Sequence, residues 1–215
     1  MRDAYHEELD SLTDKLVEMT RLVRSAISRA TTALLDSDLQ LAESVISRDA
    51  QVNVTFEEIE ASIFDLMARQ QPVAVDLRMV ITALRMGTDL ERMGDLAVHV
   101  AKIARLRHPD SAIPQEVRPT ILEMGNIAET LVTKAGACIA SHDVDAAMEL
   151  ESDDDAMDKL HRRLFRTILA KDWEHGVEPA IDITLIGRYY ERYADHAVNV
   201  AGDVVYLVTG SRPSS

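Results

Sequence analysis

Glu91-Arg92-Met93-Gly94-Asp95-Leu96-Ala97-Val98-His99-Val100-Ala101 and Glu191-Arg192-Tyr193-Ala194-Asp195-His196-Ala197-Val198-Asn199-Val200-Ala201 are two versions of one segment. The same offset pairs Ile81 with Ile181 and Gly87 with Gly187. Upstream the offset grows slightly: Leu16-Val17-Glu18-Met19 lies over Ile121-Leu122-Glu123-Met124, Ala30 over Ala135, and Asp38 over Asp143. A repeat of this length is one supersecondary unit copied once. The change in offset falls between the second and third helix of the unit.

Each unit reads as three helices, because apolar residues recur every three or four positions almost throughout. In the first helix Leu9, Leu12, Leu16, Met19, Val23, Ile27, Ala30 and Leu34 trace one stripe that stops at Asp36-Ser37. Ser37 with Gln40 reads as a capping box opening a second helix over 38–69. Gln70-Gln71-Pro72 breaks it, and a third helix follows over 73–107. After a loop at 108–114 the pattern restarts, with helices over 116–140, 143–171 and 179–208. Pro119 falls in a first turn, where proline is tolerated. The tail, 210–215, reads as disordered. The expected fold is all-α: two tandem three-helix bundles related by internal duplication, over residues 1–110 and 111–215. Short turns make neighbouring helices antiparallel.

Composition agrees and narrows the function. Of 215 residues 47% are apolar and only 4% aromatic, as suits helix packing, while 23 basic against 37 acidic residues give a net charge of −14. A nucleic-acid binder needs a basic stripe to neutralise phosphates, so nucleic acid is excluded as a partner, and docking on an anionic membrane is disfavoured. Cys138 is the single cysteine, which rules out a disulfide framework. The first ten residues are polar, unlike a signal peptide, and no run of about 18 apolar residues exists to cross a membrane. A cytoplasmic protein without membrane insertion is expected.

The chemistry-bearing feature is Glu-x-x-x-Asp in the third and sixth helices, Glu91 with Asp95 and Glu191 with Asp195. Four-residue spacing sets both carboxylates on one helix face, roughly 6 Å apart at Cβ, where like charges repel. The preceding helices carry Asp49-x-x-x-Asn53 and Asp154-x-x-x-Asp158. In an antiparallel hairpin, residues equidistant from the turn share a height. The midpoint of Asp49 and Asp95 is Pro72, as is that of Asn53 and Glu91; for Asp154 with Asp195 and Asp158 with Glu191 it falls between Glu174 and His175. Both midpoints lie in turns assigned from breaker residues alone. Each bundle should therefore gather four oxygen-bearing side chains, three carboxylates and an amide in the first and four carboxylates in the second. Such clusters suit hard or borderline divalent cations, or iron. The competing reading is a solvated acidic face neutralised by Arg92, Arg192, Arg85 or Arg188. Gly87 and Gly187, each costing about 1 kcal/mol inside a helix, point to close helix approach nearby, with a hinge as the alternative.

The stretch over 89–101, together with its echo over 190–201, closely resembles the signature helices of the PhoU family, and the resemblance extends over essentially the whole chain. It implies a tandem three-helix-bundle regulator of phosphate signalling and transport. Such a protein acts beside the ATPase subunit of the phosphate ABC transporter and a sensor histidine kinase, and represses the phosphate-starvation response. It also implies metal held by Asp49, Asn53, Glu91 and Asp95, then Asp154, Asp158, Glu191 and Asp195, and it makes a homodimer plausible. Asn53 brings no charge, which weakens the first cluster.

An enzyme is the lesser alternative: a carboxylate-bridged di-metal centre needs two Glu-x-x-His motifs, and the nearest match is Asp158-x-x-His161. No phosphate-binding glycine loop or nucleophile elbow is present. A purely structural scaffold is the other alternative. His99 reads as a hydrogen-bonding group, His196 as surface or interface, and Tyr189, Tyr190 and Tyr193 as packing residues. Trp173 reads as an anchor at a core edge. His6, His108, His142, His161 and His175 carry no spacing signal.

Overall fold

The computed structural model describes residues 2–212, with side chains from Glu7 onward, so the His6 ring and the last three residues of the tail lie outside it. Six helices follow in order: α1 (Arg2–Asp36), α2 (Leu39–Gln70), α3 (Ala74–Arg107), α4 (Arg118–Ser141), α5 (Val144–Ile168) and α6 (Val177–Thr209). There is no strand among the described residues. The stripe expected on α1 is the buried one, with Leu12, Leu16, Met19, Val23, Ile27, Ala30 and Leu34 all removed from solvent.

The helix starts show which local rule won. Asp38, not Ser37, caps α2: its carboxylate accepts the Leu41 N–H at 2.9 Å, while Ser37 takes a left-handed turn conformation (φ 52°). Asp143 caps α5 in the same way through the Ala146 N–H at 3.0 Å. A carboxylate at this position satisfies an orphan amide and opposes the helix dipole as well. Helix α5 ends at Ile168, earlier than expected, and beyond it Trp173 donates its indole N–H to the Gly176 carbonyl across the turn. The tail reading is corrected for its first part: Gly210 caps α6 with φ 78°, and Arg212 reaches Asp203 at 3.2 Å.

Helices α1, α2 and α3 pack mutually, as do α4, α5 and α6, and the two bundles join by α1 against α4 and α3 against α6. One apolar core runs continuously through both. The joint shows the duplication directly. A Cβ on Gly125 would stand 2.7 Å from Thr31, and one on Gly136 would stand 2.5 Å from Thr20; Thr20 and Thr31 are the counterparts of Gly125 and Gly136. Threonine on one helix thus seats in the gap left by glycine on the other, twice. Thr31 also shares a 2.5 Å hydrogen bond with the fully buried Tyr190 of the other bundle.

Helices α3 and α6 cross antiparallel, held at both ends. Arg107, in the last turn of α3, grips Asp182 with two bonds of 2.6 and 3.1 Å and also reaches Glu178. Asp182 is almost wholly buried, so the two-pronged guanidinium contact compensates a charge removed from water. At the other end Arg78 donates to the carbonyls of Tyr206 and Leu207, where the dipole of α6 is negative. Between them His196 hydrogen-bonds Asp89 at 2.7 Å, which makes it an interface residue.

Candidate metal centres

The two sets of motif residues lie on the α2–α3 and α5–α6 hairpins. Gly87 and Gly187 bring the paired helices together: a Cβ at Gly87 would lie 3.0 Å from the Phe56 ring, and one at Gly187 would lie 2.9 Å from Leu164 and 3.1 Å from His161. Close approach, rather than a hinge, explains both glycines.

In the first hairpin Asp49 lies flat on α3, its Oδ1 3.1 Å from where a Gly94 Cβ would be. Asn53 donates its amide to Asp49 Oδ2 at 3.5 Å. Burial, then the neighbouring Asp95 charge, raise the proton affinity of Asp49, against the Asn53 hydrogen bond and Lys102, which lower it. Glu91 is raised likewise, first by burial and then by Asp95, with Arg92 opposing. Arg92 pairs with Asp95 at 3.2 Å and with Glu91 at 3.5 Å.

The second hairpin has no amide. Burial, then the charges of Asp195, Asp158, Glu191 and Asp155, push the Asp154 carboxyl up to about 6. Its Oδ1 is buried without a hydrogen-bond partner. Arg188 pairs with Glu191, and Arg162 stands 3.8 Å from Asp158. Of the four arginines considered as neutralisers, Arg92 and Arg188 engage motif carboxylates. Arg192 and Arg85 make no ion pair among the described residues.

The chemistry of the second donor set suits a hard or borderline cation: four carboxylates within electrostatic reach, one oxygen orphaned, and a proton affinity raised by burial first and by like charges next. The first set is poorer, since Asp49 already uses one oxygen on Asn53. In the side-chain conformations of this structure, no group of three or more histidine, cysteine, aspartate or glutamate side chains among the described residues is arranged to hold a metal ion.

Sequence reasoning missed His161. It packs against Gly187 and Phe165, and its Nε2 is buried without a partner. The signal was the repeat itself, for His161 takes the place of Phe56, which covers Gly87 in the first bundle. His99 stacks on Tyr189 (centroids 5.1 Å apart, planes 21°) rather than hydrogen-bonding as expected. Tyr190 and Tyr193 are fully buried packing residues, and burial raises both phenols.

A family model described as the PhoU domain matches twice, over residues 16–104 and 121–204. The phosphate-specific transport system accessory protein PhoU homolog 2 of Mycobacterium tuberculosis is 49% identical over 99% of this chain and 100% of its own length. PhoU homolog 1 of the same organism is 41% identical over 100% of this chain and 97% of its own. Among solved structures, PhoU from Pseudomonas aeruginosa superposes with a TM-score of 0.88 at 30% identity, covering 96% of this chain and 100% of that one. The phosphate transport system regulatory protein PhoU from Streptococcus pneumoniae also gives 0.88, at 26% identity over 98% and 100%.

Proposed function

The chain belongs to the PhoU family, and we propose that it is a regulatory accessory protein of phosphate transport that links the ATPase subunit of the phosphate ABC transporter to a sensor histidine kinase. It holds the phosphate-starvation response off while phosphate is plentiful, and it works in the cytoplasm as a homodimer rather than as an enzyme. The observation that carries this reading is the extent of the likeness: two PhoU domains and end-to-end alignment with accessory proteins of that name. No helix among the described residues is long and apolar enough to cross a membrane, so contact with membrane-embedded partners falls to surfaces of the bundles.

Within that role Asp154, Asp158, Glu191 and Asp195 hold a divalent or iron-type ion. When bound, such an ion supplies positive charge at the cluster and a coordination position for phosphate or a partner's carboxylate. Binding requires Arg188 to leave Glu191 and Arg162 to leave Asp158. Both guanidiniums are more than half exposed, so releasing them costs little. Asp49, Asn53, Glu91 and Asp95 form the weaker counterpart.

The test is capture of the kinase and the ATPase subunit by wild type and by the Glu91→Ala, Glu191→Ala double variant, with elemental analysis of each. Loss of metal, of partner capture and of repression is expected. Unchanged capture with unchanged repression would remove the metal-dependent part of the proposal. A deletion strain with a normal phosphate-starvation response would leave only the structural-scaffold reading.

A further inference from the structure

The duplication built the seam between α3 and α6 unevenly. Because the two helices cross antiparallel, each feature at one end of the seam has a counterpart at the other, with residue numbers exchanged by one hundred. At one end the His99 and Tyr189 rings stack and cover the crossing. At the other end the same positions hold Asn199 and Asp89, both shorter, and the counterpart of Lys102 is Gly202. A groove of about 630 Å³ opens there.

Gly202 is what the packing leaves unexplained. A Cβ at Gly87, Gly94, Gly125, Gly136 or Gly187 would come within 3.1 Å of a neighbour, so close helix contact accounts for each. A Cβ at Gly202 would meet nothing within 4 Å. Glycine weakens a helix interior, and the fold gains no contact in return; a missing Cβ with open space beside it suits close approach by another molecule.

The charges state what kind of molecule. Asp203, buried in the groove floor, is paired with Arg212. Burial raises its carboxyl, the Arg212 and Arg85 guanidiniums both draw it down and the Asp89 charge raises it again, so two arginines stand among the carboxylates of Asp203, Asp89 and Glu151. Asp89 is already taken by His196. Arg85 has no hydrogen bond or ion pair among the described residues, and neither has the Asn199 amide. The volume falls in the range that encloses a metabolite and exceeds what an inorganic ion needs.

We propose that this groove binds a small organic anion, with its carboxylate or phosphate-ester head between Arg85 and Arg212 and its body over Gly202 against Asn199. The guanidinium fork matches either head group. Glu151 at the rim accepts a hydrogen bond from a hydroxyl or amino group on that body and turns away bare polyanions. Of the two arginines in the groove, Arg212 is paired with Asp203, and Arg85 is the one whose guanidinium donors stay free among the described residues.

Isothermal titration of the full-length protein at low salt with AMP, glucose 6-phosphate and glutamate tests it, with inorganic phosphate as control. At least one of the three should bind saturably at one site per chain. Gly202→Leu, which fills the groove from a position with free space, should weaken that binding at least tenfold while the unfolding curve stays cooperative. Arg85→Gln should do the same, whereas Leu185→Gln, at the counterpart position, should leave it unchanged. Absence of saturable binding by all three, binding that survives both groove variants, or inorganic phosphate binding as tightly as the organic anions would overturn the proposal.

Discussion

The two acidic clusters stand on the same hairpin, built twice, yet differ in charge. In the first, Asn53 supplies an amide that Asp49 uses, and Lys102 lies near enough to pull the Asp49 carboxyl down. In the second, Asp158 replaces the amide and the Asp154 carboxyl rises to about 6. The backbone register survived duplication because close glycine contacts and a shared core fix it. The charged positions were free to diverge because they face water on one side. One scaffold thus holds a cluster in which Asn53 and Arg92 offset part of the repulsion and another in which Asp154 stays more strongly strained.

The comparison breaks first if the scaffold is not truly symmetric. Gly125→Val and Gly136→Val should each cost about 2 kcal/mol, and by similar amounts, because each forces a side chain onto a threonine across α1 and α4. Chemical denaturation of the two variants checks this, and unequal losses would show that the seam is not built alike at its two ends. Next in size is the contrast in ion binding. Glu191→Ala should lower affinity for a divalent cation at least tenfold, about 1.4 kcal/mol, and Glu91→Ala should lower it less, as read by titration of metal-free protein.

A third prediction concerns pH. The folded protein binds a proton at Asp154 more tightly than the unfolded chain, whose carboxyl keeps its ordinary value of 3.8. In the metal-free protein, stability therefore falls as pH rises from about 4 through 6 and stays lowered above that. Allowing for solvent screening of a partly exposed group, the loss is about 1 kcal/mol. Asp154→Asn should recover it at pH 7.5 and flatten the pH dependence. Asp49→Asn should recover less, and an equal recovery would erase the contrast between the clusters. Smallest is Asn53→Asp, which makes the first cluster resemble the second. Without metal it should cost a few tenths of a kcal/mol through like-charge repulsion at four-residue spacing, measured as a small drop in Tm. With metal present the sign should reverse.

Helix number and type, the buried stripe of α1, the duplication and the spacing of the four motif positions in each half about their turn were all determined by the sequence alone. Each depends on periodicity or spacing along one chain, and a hairpin with a short turn has a single register. Even so, the entrance to α2 was misread, because a serine and an aspartate side by side compete for one cap and only backbone geometry decides between them. What tertiary structure alone decided is how the helices meet: Thr31 on Gly125, Arg107 on Asp182, His99 on Tyr189, the unpartnered Nε2 of His161 and the open side of Gly202. These follow from the rotation of each helix about its own axis against a partner far away in sequence. Apolar periodicity fixes that rotation to a face but not to the few degrees that choose which arginine reaches which carboxylate, or which end of a seam stays open.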